Sequence, residues 1–396
     1  MRTLFGLLIL AIAPTLMSAQ TLDGPWHGRL KAGHMELDLV FRIGQSSTLD
    51  SPNQGAKGIP MEIEEQTEKR IKVRVPSVGA LFEGELNGDM LVGTFTQMGA
   101  SFALVLERGE LHNDRPQTPQ PPLGYKTAAV EFSNAGATLS GTLTLPENPQ
   151  NTTVVLMITG SGQQNRDEEL FDHRPFAVIA HALAQAGIAS LRYDDRGFGA
   201  STGDFSEATT QTFADDAASG LRYLRQLGYR RIGILGHSEG GTIAFMLADR
   251  ADFVVALAPM AERGDSTLYN QALVQATISG LPFSMAQSYA NDVLSAAQAS
   301  PQPWMQYFLS FDPAEHIARA GCPALVVFGN SDKQVLAERN APIVQKGMPH
   351  AAIKRYAGMN HLFQHCATGL PNEYGQIKET IATEVLADII AWIRQL

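Results

Sequence analysis

Ser238 lies at the end of an apolar run and is flanked by small residues, in "RIGILGHSEGG" from Arg231 to Gly241. Gly236-His237-Ser238-Glu239-Gly240 matches G-x-S-x-G, the pattern of a serine on a sharp strand-to-helix turn. The run before it reads as a buried strand, and "GGTIAFMLADR" after it reads as a helix. Glycines on both sides let the turn close, and the hydroxyl projects at the positive end of the helix. A simple N-cap serine is the plainer reading of the same residue. A serine hydroxyl attacks only when a base removes its proton, and that base needs an orienting carboxylate. Two later strand ends supply them in the order such turns use: "VVFGNSDKQV" delivers Asp332 and "KRYAGMNHLF" delivers His361. His365 is the rival base and Asp312 the rival acid, and both sit less well relative to a strand end. Asp332 also has a plainer reading, as the cap of a helix beginning near Val335.

Attack on a carbonyl builds negative charge on its oxygen, which needs two backbone N–H donors. Glu239, directly after the serine, is expected to give one. The loop after "VVLMI" reads "TGSGQQNRD", Thr159 to Asp167, and Gln163 is the expected second donor. Arg166 and Asp167 read as ion-pairing braces of that loop. "RYDDRGFGAS", Arg192 to Ser201, reads as a structural turn more than as pocket lining. The Glu239 carboxylate could hold a cationic substrate group, but the expectation is that it points into the helix surface. This chemistry needs no metal and no organic cofactor.

These residues must be held by strands and helices. "TVVLMITG", "IASLRYDD", "RIGILGHS", "DFVVALAP", "PALVVFGN" and "AAIKRYAG" are apolar throughout and alternate with helical stretches near 176–186, 209–227, 240–250, 335–346 and 376–393. That pattern means a parallel sheet covered on both faces. "YKTAAVEF" and "ATLSGTLTLP" form a leading hairpin. About 260–320 lacks a strand and reads as a helical cap, whose "PQPWMQYFLSF" offers Trp304 and Tyr307 as substrate-pocket walls or as cap core. Upstream, 20–112 contains short alternating runs punctuated by Gly, Asn, Asp and Pro, which predict a small antiparallel barrel or sandwich. "RPQTPQPPLG" marks a proline-rich linker, 113–124, before a catalytic region at 125–396. Residues 1–19 combine Arg2, a short apolar core and a small-residue end, as a signal peptide cleaved near Ala19 does. The expectation is export to the periplasm or medium, without stable membrane insertion.

A chain of 396 residues accommodates two domains, and its net charge of −10, with no basic run, argues against nucleic acid as a partner. The two cysteines, Cys322 and Cys366, belong near opposite ends of the sheet and are expected to remain free thiols.

The loop "GSGQQNRD" together with "RYDDRGFGAS", "GHSEGG", "GNSD" and "NHLF" resembles the α/β-hydrolase superfamily from about 125 to 396. Within it the chain looks like bacterial serine esterases with a GSG-x-Q-x-R-D loop, some of which carry a β-rich N-terminal accessory domain. The resemblance implies Ser238 as nucleophile, Asp332 as acid and His361 as base. The leading expectation is a carboxylesterase acting on a small-molecule ester through an acyl-enzyme. The first alternative is an aminopeptidase or acyl-peptide hydrolase with the same triad. It lacks a preceding propeller, since ninety β-rich residues are too few to make one. The second is a polymer-binding β domain attached to an esterase.

Overall fold

In the computed structural model, which describes residues 21–32, 35–54, 56–111, 114–147 and 153–396, the chain divides into two compact units, Met1–His112 and Asn113–Leu396. The expected leader and its cleavage site lie outside the described residues.

The first unit holds β1 (Gly24–Ala32), β2 (Met35–Ile43), β3 (Thr48–Ser51), β4 (Ala56–Pro60), β5 (Glu62–Gln66), β6 (Arg70–Val75), β7 (Ala80–Asn87), β8 (Met90–Gln97) and β9 (Ala100–Arg108). They form one antiparallel sheet in the order β4-β3-β2-β1-β9-β8-β7-β6-β5. Alternation sends Ile71, Val73 and Val75 of β6 to one face, where they join Trp26, Phe41, Phe82 and Leu104 in a single core. Phe41 of β2 and Phe82 of β7 are four strands apart in the order, about 19 Å in a flat sheet at roughly 4.8 Å per strand. Their ring centroids are 5.2 Å apart, so the sheet rolls over on itself, barrel-like, rather than splitting into the two sheets of a sandwich. The alternating runs legible in the sequence, "MELDLVFRI", "KRIKVRV", "ALFEGEL", "MLVGTFTQ" and "SFALVLERG", fall on β2, β6, β7, β8 and β9, whereas β1, β3, β4 and β5 were missed. β1 carries "PWHGR", whose glycine hides the alternation, and the other three have only four or five residues.

The second unit is built on β10 (Tyr125–Asn134), β11 (Ala137–Pro146), β12 (Thr153–Ile158), β13 (Ala189–Tyr193), β14 (Arg231–His237), β15 (Phe253–Leu257), β16 (Ala324–Gly329) and β17 (Ala352–Tyr356). The order is β10-β11-β13-β12-β14-β15-β16-β17, with the β10–β11 hairpin antiparallel at one edge and the remaining strands parallel. Both faces are buried, as their continuous hydrophobicity requires. On β12, Val154, Leu156 and Ile158 pack with α2 (Thr210–Gln226) and α3 (Glu239–Met246). Val155 and Met157 of the same strand face α1 (Pro175–Gln185) and α9 (Thr383–Gln395).

Between β15 and β16 the expected helical insertion is present as α4 (Gly264–Ile278), α5 (Phe283–Gln298), α6 (Pro303–Ser310) and α7 (Ala314–Arg319). α8 (Ala337–Gly347) follows β16. α9 begins at Thr383 and not near 376, because Pro371–Gln376 forms a 3-10 turn instead. The proline-rich segment is seated on this unit. The Arg115 guanidinium donates to the carbonyls of Phe171, Gly375 and Ile377, at 2.9, 2.7 and 3.1 Å. Both cysteines are free.

Candidate active site

β14 ends at His237 and α3 starts at Glu239, so Ser238 alone makes the turn between them, at φ 54° and ψ −119°. A non-glycine residue in this region stores backbone strain, which the surrounding packing must impose. The flanking glycines show how. A Cβ on Gly236 would lie 2.0 Å from the Gly240 carbonyl oxygen, and one on Gly240 would lie 2.1 Å from that of Ile158. The turn therefore closes only because both positions lack a side chain. Ser238 N–H donates to Leu257 O at 2.8 Å, which pins the elbow to β15.

Ser238 and His361 line one cavity of about 280 Å³. His361 follows β17, on a loop folded by Asn360, whose Oδ1 accepts from the backbone N–H groups of Leu362 and Gln364, both at 3.0 Å. His361 Nδ1 lies 2.7 Å from Asp332 Oδ2. Asp332, only 1% exposed, uses its other oxygen to accept from the N–H groups of Gln334 and Val335, at 2.7 and 3.0 Å. It thus closes its own turn and holds the imidazole; it does not cap the following helix, which starts at Ala337 with Leu336 as its N-cap and no side-chain cap bond. With Nδ1–H given to the carboxylate, Nε2 keeps its lone pair, as a base requires. The rivals are elsewhere. His365 is exposed between Glu379 and Glu384, at 2.9 and 3.2 Å, and exposed Asp312 accepts from Ala314 N–H at the start of α7.

The loop after β12 brings a different residue to the cavity from the one expected. Gly160 N–H donates to Glu168 Oε1 at 2.7 Å, and Gln164 N–H donates to Asp195 Oδ2 at 2.9 Å. Of the residues between them only Ser161 lines the cavity. Gln163 does not. Its side-chain amide donates to the carbonyls of Arg196 and Gly197, at 3.4 and 3.1 Å, because the loop turns outward at Gly162, whose φ is 91°. The bracing is as expected: Arg166 pairs with Asp194 at 2.6 Å, and Asp167 pairs with Arg192. "RYDDRGFGAS" is the scaffold of this loop. Asp194 also accepts from Arg166 N–H and Ala200 N–H, Asp195 accepts from Thr159 Oγ1, and Arg196 is paired with buried Asp216.

Glu239 is 1% exposed and does not lie on the helix surface. Its carboxylate accepts from Thr210 Oγ1 at 2.6 Å, from Trp304 Nε1 at 3.0 Å, and from the Ser161 hydroxyl. Burial raises its pKa, although these three donors pull the other way. Trp304 lines the cavity and stacks on Phe308, with centroids 5.1 Å apart. Tyr307, one turn along α6, does not line it. Its ring stacks on Phe311 at 5.5 Å, because a residue three positions after Trp304 has rotated past the cavity edge. Sequence reasoning missed Thr267, Leu268 and Gln271 of α4, which complete the cap side, and Glu168, one residue beyond the loop it singled out. Among the described residues no cluster of His, Cys, Asp and Glu has the arrangement of a metal site. No helix there is long and apolar enough to cross a membrane.

A parallel sheet with helices on both faces, a strained serine between the central strand and its helix, and a His–Asp pair at later strand ends define a class of fold. The profile of the Alpha/beta hydrolase family matches residues 155–369, more than half of the chain, and the chain belongs to that family. Esterase EstD of Thermotoga maritima is 27% identical over 271 residues, covering 64% of this chain; the chain spans 65% of that relative's length. Among solved structures, Est1E from Butyrivibrio proteoclasticus with bound ferulic acid is 19% identical and covers 67% of this chain and 98% of its own, with a TM-score of 0.49. The esterase Pf2001 of Pyrococcus furiosus is 16% identical, covering 73% and 99%, with a TM-score of 0.48.

Proposed function

We propose that the protein is an exported serine carboxylester hydrolase. Ser238 Oγ attacks the ester carbonyl while His361 Nε2 takes its proton, and Asp332 stabilises the imidazolium that forms. The tetrahedral oxyanion lies between the N–H groups of Glu239 and Ser161. Ser161 takes the place first expected of Gln163 because it lines the cavity. His361 then protonates the leaving alcohol, and a water activated by the same imidazole hydrolyses the acyl-enzyme. The observation that carries this reading is the strained Ser238 elbow sharing a cavity with a histidine held 2.7 Å from a buried aspartate. The similarity to an enzyme named as an esterase supports the substrate class. Export rests on the composition of residues 1–19.

The test is turnover of p-nitrophenyl esters beside aminoacyl anilides, with covalent labelling by a fluorophosphonate. Ester turnover with phosphonate on the Ser238 peptide is expected. Ser238→Ala should lose labelling and at least about 10³-fold in kcat, since triad members act as a unit. Preferred cleavage of the anilides would replace the reading with a peptidase.

A further inference from the structure

The cavity wall includes a buried acid–histidine pair that the reaction scheme leaves unused. Glu168 and His237 are 1% and 5% exposed. His237 Nε2 lies 2.9 Å from the backbone oxygen of His361, and Nδ1 lies 2.9 Å from Glu168 Oε1. The same Glu168 oxygen accepts the Gly160 N–H at 2.7 Å. A carbonyl oxygen only accepts, so Nε2 carries hydrogen. The contact at Nδ1 also needs a hydrogen, for without one two lone pairs would face each other inside the protein. Both edges of the imidazole are therefore occupied by protons. The shared proton belongs on the ring, because Glu168 Oε1 already receives the Gly160 N–H and a carboxylate is the better acceptor for two donors.

We propose that Glu168 and His237 form a proton-retaining clamp that holds the Gly160–Ser161 loop and the His361 loop in catalytic register. The chain of bonds runs from the Gly160 amide through Glu168 and His237 to the His361 carbonyl. It thus joins the backbone carrying one oxyanion donor to the backbone carrying the base. A Cβ on Gly160 would lie 3.3 Å from Ser238 Cβ and 3.2 Å from Glu168 Oε1, so this backbone is also packed directly on the elbow. Both residues are positioning groups, and neither takes part in bond making. The inference rests on the roles given above to Ser238, His361 and Ser161.

The other groups facing His237 are the His361 ring, with centroids 4.7 Å apart, the Asp332 carboxylate, which favours the cation, and the apolar Phe363 ring at 6.5 Å. Burial opposes a charged imidazole, but the Glu168 carboxylate outweighs it and leaves the His237 pKa above its ordinary value. The clamp is then complete below the ordinary histidine value and is lost as pH rises through the raised one. It predicts an alkaline limb in kcat.

The test uses the full-length enzyme labelled with ¹⁵N-histidine, with the His237 signals assigned through His237→Gln. Followed from about pH 5 to about pH 9, His237 should keep both ring N–H groups and imidazolium nitrogen shifts to a pH above the ordinary histidine value of about 6.5. Glu168→Ala should abolish that signature. It should lower kcat per phosphonate-titrated site on p-nitrophenyl acetate on the order of 10- to 100-fold, a misplacement effect, with KM little changed. In Glu168→Gln the amide oxygen can still accept from Gly160 and from Nδ1–H, but it carries no charge to favour the second ring proton, so the alkaline limb should move to lower pH. A merely structural role would lower the titrated fraction and leave kcat per site unchanged. Loss of the second ring N–H at or below the ordinary histidine value of about 6.5 overturns the proposal, as does kcat per site within about twofold of wild type in Glu168→Ala. Failure of the wild type to react with phosphonate would sink the esterase reading instead, and the nuclear magnetic resonance arm would still report on the pair.

Discussion

In the proposed triad of Ser238, His361 and Asp332 the chemistry selects the residue types, and their partners separate the candidates of one type. His361 and His365 lie on one loop, yet one ring is 4% exposed and bound to Asp332 while the other stands among surface carboxylates. His361→Ala should lose kcat by about 10³-fold or more, as loss of a general base does in such triads. His365→Ala should stay within about threefold, because exposed pairs contribute little. Measured kcat with matched circular dichroism spectra decides it; the reverse pattern would exchange the two assignments. The serine loop teaches the converse about amides. The donors proposed for it are backbone groups, so the side-chain identity of Gln163 carried no information about which residue lines the cavity.

At the scale of elements, the elbow and the cap each make a separable claim. Gly240 sits against β12 so closely that a Cβ would lie 2.1 Å from the Ile158 oxygen and 2.4 Å from that of Thr159. Those are backbone atoms and cannot rotate aside. Gly240→Ala should cost about 1–3 kcal/mol as overpacking does, with kcat falling too because Ser238 moves with the turn. Chemical denaturation of the variant reads the first and ester turnover the second; an unchanged midpoint would mean the turn is softer than its contacts imply. In the cap, helix α6 presents Trp304 to the cavity and turns Tyr307 away to Phe311. Trp304→Ala should therefore shift the preferred acyl length upward, and Tyr307→Ala should leave it alone. The comparison is kcat/KM across p-nitrophenyl esters from acetate to decanoate. A shift in both variants would place specificity in the cap fold as a whole. Trp304 also donates to Glu239, so its loss removes one of the bonds that offset the burial of that carboxylate.

For the whole molecule, pH should act through a buried histidine outside the sequence motifs. His173 is fully buried, with Nδ1 2.9 Å from Thr380 Oγ1 and Nε2 3.0 Å from Tyr374 O, and so ties the start of α1 to the segment before α9. Burial, assisted by the Arg115 guanidinium, lowers its pKa from 6.5 to about 4. The unfolded chain takes up this proton first as pH falls. The contribution is therefore complete above the ordinary value near 6.5 and is lost as pH drops toward about 4. It amounts to about 3 kcal/mol at most. Denaturation midpoints between pH 7.5 and 4.5 should fall in the wild type and fall less in His173→Gln. Equal slopes in the two proteins would assign the loss to other groups.

The apolar runs and their punctuation were enough to determine the parallel sheet, the helical insertion before β16 and the triad candidates. Burial on both faces leaves a continuous hydrophobic signature, and a nucleophile turn leaves glycines at set positions. The N-terminal sheet was only half legible, since β3, β4 and β5 are too short for alternation to show and the roll becomes visible only when Phe41 meets Phe82. What the tertiary structure alone decided is long-range and polar. Ser161 rather than Gln163 reaches the cavity, Trp304 rather than Tyr307 walls it, and Glu239 is buried under the cap. His237 and Glu168, 69 positions apart, are brought within 2.9 Å, and His237 reaches the carbonyl of His361 across 124 more. Hydrophobic periodicity is a property of neighbours along the chain and can be read there. A hydrogen bond between residues on different strand ends depends on backbone paths that only the packed sheet sets.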